Sequence, residues 1–370
     1  MKINQFDSEM WLTEHELDYT YNLTESCIQS MTLLDLCNIC DIDLMNDLSH
    51  IELSYGDITG NQILKEEILK LYKTGNTSNI TITHGGINAN ELILTELLDS
   101  SDHIISFSPS YQQLYDLPKS FGCEVSIIEL KEENNWDIDL IEIEKNIKGN
   151  TKAIVLNTPN NPTGTQVSIS KMNDLVSLCK QYDLYIVADE IYRGLGKDGF
   201  DYPSFSDLYD KAIISSGISK VLRVPGLRIG WIKGNKEFID LINYRRDYAI
   251  ISAGPINEYL ALNALQNKDK ILKTSNEICD NGKMVLKEWL LQEPLVDAVI
   301  PELGTTCFLH YHLDIKSKEL CERLQQDTGV MFIPGSSYNC EYHLRFGFTH
   351  SVKELKEGLN AFSKWLDQFR

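Results

Sequence analysis

Residues 152–192 read KAIVLNTPNNPTGTQVSISKMNDLVSLCKQYDLYIVADEIY, and two apolar runs in this segment flank a helical pattern. The runs KAIVLN and LYIVAD are short and rich in β-branched residues, which is typical of strands. Between them, SKMNDLVSLCKQY repeats its apolar residues at helical spacing. Two strands joined through a helix form a crossover unit, so the strands run parallel. The segment therefore predicts an α/β fold, with a largely parallel sheet covered by helices on both faces.

The same alternation extends to both sides of this segment. NITITHGG, HIISFSPS, EVSIIEL and KAIISSGIS are further short runs with strand composition. The last third differs: residues 255–292 are helical in pattern, TTCFLHYHL and HLRFGFTH are strand-like, and an amphipathic helix follows the candidate N-cap Ser351. We therefore expect a large domain over residues 41–265. We expect residues 1–40 and 266–370 to form a smaller α+β domain.

Composition argues against several classes of function. The 370 residues carry a formal net charge of −20, and 42% of them are apolar, as in ordinary globular proteins. Such a charge argues against nucleic acid and anionic membrane surfaces as partners. No apolar run reaches the ~20 residues that span a bilayer. The acidic start of the chain has no apolar signal core, so we expect a cytoplasmic protein.

The nine cysteines follow no metal-binding pattern. Cys37 and Cys40 form one C-x-x-C pair, but no second pair or nearby histidine in the sequence completes a zinc site. An odd number of cysteines without an export signal favours reduced thiols. We therefore expect no metal site.

Four predicted strand ends carry polar residues, and ligands of such sheets bind at this edge. In THGGIN, glycines precede a helix whose free N–H groups can hold an anion, although the same residues suit a plain turn. NTPNNPTG, residues 157–164, is a rigid turn that offers amide donors.

In VADEIY, Asp189 ends an apolar strand, where it either meets a cation or caps the next helix. Tyr192 follows it. SGISKVLRVPGLRIGW contains Lys220 and Arg228, and this lysine is either a solvated loop residue or a reactive amine.

Together these residues match the needs of pyridoxal phosphate, whose aldehyde bonds to a lysine, whose ring nitrogen pairs with an acid and whose phosphate needs an anion cradle. NNPTG, ADEIY and SK followed by PGLRIGW occur in the order and near the spacing of class I/II aminotransferases, and the sequence resembles this family over nearly its whole length. The resemblance implies a fold-type I enzyme with a seven-stranded sheet and a pyridoxal 5′-phosphate cofactor. It also implies transfer of an amino group from an α-amino acid to a 2-oxo acid by a ping-pong mechanism, in a homodimer with shared active sites.

The resemblance also implies roles for individual residues. The implied catalytic residues are Lys220, which bonds the cofactor and then moves the Cα proton, Asp189, which pairs with the ring nitrogen, and Tyr192. The implied cofactor-binding residues are Gly85, Gly86, Ile87, Tyr111, Asn161, Asp189, Tyr192, Ser219, Lys220, Arg228 and, from the neighbouring subunit, Tyr55. The implied substrate-binding residues are Asn161, Glu25 and Arg345, whose guanidinium fits a carboxylate bidentately.

Two positions depart from the family pattern. Gly217 stands where the family's S-x-S-K has its first serine, so one hydroxyl contact to the phosphate is expected to be missing. NLTESC replaces a glycine-rich stretch beside the substrate, and Glu25 within it either faces the pocket or points to solvent. A pocket-facing Glu25 predicts that basic or neutral amino acids are preferred over aspartate, because a desolvated contact between like charges is unfavourable.

The motifs leave the reaction itself open. Carbon–sulfur β-lyases, decarboxylases and cyclising enzymes use the same fold and residues, so they are the alternative to an aminotransferase. A non-catalytic ligand sensor is a further alternative, but the sequence contains no DNA-binding module, its charge is acidic and Lys220 is present. We therefore expect an aminotransferase.

Overall fold

The computed structural model describes residues 2–370. The strands are β1 (Tyr21–Asn22), β2 (Ile80–Thr83), β3 (His103–Ser108), β4 (Glu124–Glu129), β5 (Thr151–Asn157), β6 (Tyr185–Asp189), β7 (Ala212–Gly217), β8 (Gly230–Lys233), β9 (Val296–Ala298), β10 (Thr306–Tyr311), β11 (Val330–Met331), β12 (Ile333–Pro334) and β13 (His343–Gly347).

The helices are α1 (Asp7–His15), α2 (Leu33–Cys40), α3 (Leu44–Ser49), α4 (Gln62–Leu69), α5 (Gly85–Leu97), α6 (Gln113–Ser120), α7 (Leu140–Lys145), α8 (Ile169–Tyr182), α9 (Lys236–Arg246), α10 (Pro255–Gln266), α11 (Lys268–Leu290), α12 (Ser317–Thr328) and α13 (Val352–Leu366). Within residues 2–370, none of them combines the length and the apolar character that crossing a membrane requires.

The central sheet has seven strands in the order β2-β8-β7-β6-β5-β3-β4. From β7 to β4 each neighbouring pair is parallel, whereas β8 is antiparallel to both β7 and β2. The chain returns antiparallel into β8 because residues 218–229 contain no α-helix to carry it across the sheet. The expected mainly parallel, seven-stranded sheet is confirmed. Its register places Asp189, at the end of β6, between Asn157 of β5 and Ser215 of β7.

Alternate residues of the central strands pack against different layers of helices. One core joins β5, β6 and β7 to α5 and α9, and its members include Val155, Val187, Ile213, Ile93 and Ile239. The core on the opposite face joins the same strands to α8, and its members include Ile154, Ile186, Ile214 and Leu175. Because both faces are buried, these strands read as continuous apolar runs, and their first polar side chains come where the strands end.

The C-terminal part is built around a four-stranded antiparallel sheet in the order β12-β13-β10-β9. Helix α13 follows Ser351, whose hydroxyl accepts a backbone N–H of the first turn at 3.2 Å, so the predicted N-cap is confirmed. The N-terminal segment packs here too: β1 pairs in parallel with β11, and Trp11 donates its indole N–H to the Phe332 carbonyl at 2.8 Å. Such contacts are expected if residues 1–40 and 266–370 form one smaller domain. The boundaries of that domain stay a prediction.

Candidate active site

Asp189, the last residue of β6, is a buried carboxylate with 4% of its surface exposed. Its Oδ2 accepts a hydrogen bond from Asn90 Nδ2 at 2.7 Å, and its Oδ1 accepts one from the Ile191 backbone N–H at 3.1 Å. Burial raises the pKa of Asp189 to about 6, against the opposing effects of these hydrogen bonds and of the Lys220 charge. The carboxylate is therefore complementary to a cationic group in the site, and a protonated ring nitrogen is such a group.

Two asparagines to which the sequence analysis assigned no individual role hold Asp189 and the turn after β5. Asn90, on α5, accepts the Ser215 hydroxyl with the oxygen of the same amide that donates to Asp189. Asn157 donates to the Asp189 carbonyl at 2.9 Å and accepts the Asn161 backbone N–H at 2.7 Å. Asparagine is an unfavourable residue inside a helix. Asn90, among the apolar residues of α5, is therefore a signal that the sequence does offer.

Lys220 lies in the loop that follows β7, and its amine meets the N-terminal segment of the chain. Its Nζ lies 2.9 Å from Ser26 Oγ, 3.3 Å from Cys27 Sγ and 6.0 Å from the centre of the Tyr192 ring. Burial lowers the pKa of Lys220, but the Tyr192 and Cys27 groups raise it by more, so the net direction is upward. Ser26 and Cys27 are nearly 200 residues from Lys220 in the chain, so sequence spacing gave no signal of this contact.

Arg228 and the N-terminus of α5 form a cradle for an anion. The helix begins at Gly85, which has a φ of +77°, and a Cβ there would lie 2.7 Å from Arg228 Nη2. Within residues 2–370, Arg228 donates to the Pro225 carbonyl at 3.1 Å and forms no ion pair with a carboxylate. Arg228 is exposed, and its guanidinium and the positive end of the helix both favour an anion placed between them. Gly86 and Ile87 offer the next backbone N–H groups of the helix, so the geometry suits a phosphate.

Arg345, on β13, is a buried guanidinium with 4% of its surface exposed. Nη1 donates to the Tyr338 hydroxyl at 2.6 Å and to Asn161 Oδ1 at 3.3 Å, and Nη2 donates to the Thr24 carbonyl at 2.7 Å. Nε has no hydrogen-bond partner, and no carboxylate forms an ion pair with Arg345 in the described residues. Since a buried charge without a counterion is costly, this position is complementary to a carboxylate ligand.

These groups open onto one cavity of about 350 Å³. Glu25 lines it but is exposed, and its Oε1 accepts a hydrogen bond from Asn22 at 3.3 Å. Gly85 lies just behind the lining, against Arg228. Tyr55 is 69% exposed outside the cavity, and its contact from a neighbouring subunit stays a prediction. The predicted site residues that line the cavity are Glu25, Gly86, Ile87, Tyr111, Asn161, Asp189, Tyr192, Ser219, Lys220, Arg228 and Arg345.

The structure supplies a physical reason for the glycine at position 217. A Cβ on Gly217 would lie 2.9 Å from the Ile229 carbonyl oxygen and 3.1 Å from the Ile191 side chain. Gly217 also pairs with Gly230 across β7 and β8, so the two strands approach closely there. A serine would require these neighbours to move. The family's hydroxyl is therefore replaced by closer packing of the sheet.

Comparison with known proteins identifies the family. The family model for aminotransferase class I and II matches residues 41–362. The chain belongs to this family. A PLP-dependent aminotransferase from Streptococcus suis is 34% identical, and its structure superposes with a TM-score of 0.96 over 100% of this chain and 99% of that chain.

Two further relatives have different names. The chain is 26% identical to capreomycidine synthase of Streptomyces vinaceus, over 97% of this chain and 92% of that protein. It is 27% identical to the aspartate aminotransferase of Thermotoga maritima, over 85% of this chain and 84% of that protein. The family is therefore fixed, whereas the relatives differ in the reactions after which they are named.

Pyridoxal 5′-phosphate is the cofactor of this fold-type I family, and the cavity fits it in three respects. The cradle of Arg228 and Gly85, which a Cβ would fill, suits the phosphate. Asp189 is buried and lacks a full counterion, which suits the protonated ring nitrogen. Lys220 brings a primary amine into the same cavity for the aldehyde, while Tyr111 supplies an aromatic ring to its wall.

Proposed function

We propose that the protein is an aminotransferase that moves the amino group of an α-amino acid to a 2-oxo acid in two half-reactions. One observation carries the proposal: Arg345 is buried with an unpartnered Nε and opens onto the cavity that also contains Lys220. Every substrate and product of such an exchange carries a carboxylate. A fixed guanidinium next to the reactive amine therefore suits both half-reactions.

Different residues of the cavity have different roles in this reaction. The cofactor supplies an aldehyde that takes up the amino group and a ring that withdraws electrons from the substrate Cα. Asp189 keeps the ring nitrogen protonated by its negative charge. Arg345 and Asn161 would orient the substrate, and the Lys220 amine would move the Cα proton as a general base.

We also propose a cytoplasmic homodimer. Tyr55 and its neighbours Leu53 and Ile58 are exposed apolar or aromatic residues, and so are Ile251 and Ile256 near the start of α10. Gly56 lies against Pro255, so these two groups belong to one surface region. Pairing this region with a second copy of the chain would cover it and would bring Tyr55 to the partner's phosphate cradle.

A second candidate function is a cyclising reaction on the same cofactor. It is kept as a candidate because the structure of a PLP-dependent cyclase, 20% identical, superposes with a TM-score of 0.91 over 100% of this chain and 99% of that chain. Lys220 and Asp189 would do the same work in such an enzyme, because both reactions begin with loss of the Cα proton. The carbon–sulfur β-lyase alternative predicted from the sequence has no separate support in the cavity.

A half-reaction screen of the purified holoenzyme tests the proposal. For an aminotransferase, we expect an amino acid to convert the aldehyde absorption band of the cofactor into the amine band, with stoichiometric release of a 2-oxo acid. The control is Lys220→Ala, which lacks the base and should not convert. An aldehyde band that persists through turnover, with a cyclised product or with pyruvate and ammonia, would contradict the proposal and favour the alternatives.

A further inference from the structure

Three histidines and two carboxylates cluster on the C-terminal sheet, outside the cavity described above. His310 on β10 is the register partner of His343 on β13 and of Asp297 on β9. His312 lies two residues after His310, just past the end of β10, and its Nε2 lies 2.8 Å from Asp297 Oδ2. Glu132, from the turn after β4, reaches this row from the side of the central sheet. The cluster therefore joins segments that are distant in the sequence.

The distances within the cluster match those between the ligands of a metal ion. Glu132 Oε2 lies 3.2 Å from His310 Nδ1 and 3.4 Å from His343 Nε2, and the three ligand atoms all lie within 4.8 Å of one another. A tetrahedral ion with bonds of about 2.0–2.1 Å holds its ligand atoms about 3.3 Å apart. Two of the three separations are therefore already those of a coordinated set.

The hydrogen bonding of His343 directs its second ring nitrogen at the Glu132 carboxylate. His343 Nδ1 lies 2.8 Å from the Glu341 carbonyl, which can only accept, so Nδ1 carries the hydrogen. In the neutral ring, Nε2 then has a lone pair that faces the carboxylate oxygen of Glu132. Two acceptors at this distance need a proton or a metal ion between them. A carbonyl that fixes the tautomer in this way is the usual second partner of a metal-binding histidine.

His310 adds a third possible ligand atom to this pair. Its Nδ1 lies 3.2 Å from the same Glu132 oxygen and 3.7 Å from Asp297 Oδ1, so three possible ligand atoms converge on one region. Either a proton on each ring or one metal ion can bridge them, and a zinc titration separates the two. The His310 and His343 rings are nearly parallel, with centres 4.6 Å apart and planes 13° apart. Because an ion lies near the plane of each ring that binds it, one ring must turn. His310 is 33% exposed and borders solvent, so it is the ring with room to turn.

We propose that Glu132, His310 and His343 form a binding site for a divalent transition-metal ion, with zinc as the expected ion. Imidazole and carboxylate ligands suit Zn²⁺, and water or a neighbouring side chain completes its coordination. The ion ties the turn after β4 to β13, the strand that carries Arg345 two residues further on. A metal ion bound here therefore links the central sheet to the C-terminal sheet, which carries Arg345.

The test is a zinc titration of holoenzyme that has been treated with a chelator and desalted. We expect calorimetry to show one zinc ion per chain and the Tm to rise with zinc. Glu132→Gln and His310→Gln should each weaken binding by about tenfold or more, since even indirect partners of a metal affect affinity by that factor. The matched control is His50→Gln, an exposed histidine outside the cluster, which should bind zinc like the wild type.

Two results would overturn the metal site. If the wild type binds no stoichiometric zinc, a proton alone satisfies the cluster. If both variants bind zinc as tightly as the wild type, the ion lies elsewhere, for example at a cysteine. Each variant is first checked by its cofactor absorption and circular dichroism. Should Glu132→Gln fail to fold, the partly exposed His310 still provides the decisive variant.

Discussion

The two ends of the active-site cavity are built in different ways. The cofactor end lies at strand ends of the central sheet and at the N-terminus of α5, where Arg228 lies against Gly85. Buried hydrogen bonds hold Asp189, Asn90 and Asn157 there. The substrate end, Glu25, Ser26 and Cys27 with Arg345, joins the N-terminal segment to β13. The first end is fixed by the fold that the whole family shares. The second depends on one short segment, so differences in reaction and substrate are expected to arise there.

The largest effect is expected at the cofactor end. Asp189→Asn keeps the shape of the side chain but removes the charge that protonates the ring nitrogen. We expect the cofactor still to bind and kcat to fall by several powers of ten, each power corresponding to about 1.4 kcal/mol of barrier. Steady-state kinetics and the cofactor spectrum measure the two parts. A variant with near wild-type kcat would show that Asp189 does not have this role.

The stability of the apoenzyme gives an independent check of the same residue. The pKa of Asp189 is raised from 3.8 to about 6 in the folded chain, so the folded state binds more protons than the unfolded state between these values. The free energy of unfolding should therefore fall as the pH rises through this window, by up to about 3 kcal/mol. In Asp189→Asn this fall should be absent, as denaturant titrations at about pH 4, near the lower end of the window, and at about pH 7, above its upper end, would reveal.

A smaller effect is expected at the substrate end from Arg345→Lys. A lysine keeps the charge but cannot grip a carboxylate bidentately. We expect KM for amino-acid donors to rise by about 10- to 100-fold, which corresponds to the loss of one charged hydrogen bond, while the cofactor spectrum stays unchanged. Tyr338→Phe is the matched control, because it removes a hydrogen-bond partner of Arg345 and leaves the guanidinium in place. Equal KM values for Arg345→Lys and wild type would contradict the carboxylate contact.

Much of the cofactor end could be predicted from the sequence because its residues stand directly after apolar runs. Asp189 ends β6 and Asn161 follows β5, and the parallel sheet brings such ends together. Arg228 and Lys220 were recognised from their motif. Asn90 was not predicted, because its role depends on its hydrogen bond to Asp189 at the end of β6, which the sequence does not show.

Contacts between distant segments could not be predicted in this way. The amine of Lys220 meets Ser26 and Cys27 because the N-terminal segment packs on the C-terminal part and then crosses the cavity. The sequence predicted no metal site because the ligands proposed here, Glu132 and two histidines, share no spacing. They meet through the register of β10 and β13 and through the turn after β4.

The smallest effect is expected from Glu25, the residue that separates this substrate end from the family pattern. Its carboxylate lines the cavity, yet it is exposed and is held by Asn22 at 3.3 Å, so water screens its charge. We expect arginine, alanine and methionine to convert the cofactor faster than aspartate in stopped-flow half-reactions. Glu25→Gln should raise the rate with aspartate by only a few-fold and leave the rate with alanine unchanged, because only the acidic side chain meets a like charge. Glu14→Gln, a change at an exposed carboxylate outside the cavity lining, is the control and should alter neither rate. If aspartate is the fastest donor of the wild type, Glu25 faces away from the substrate, and the preference must be set by Arg345 and its neighbours alone.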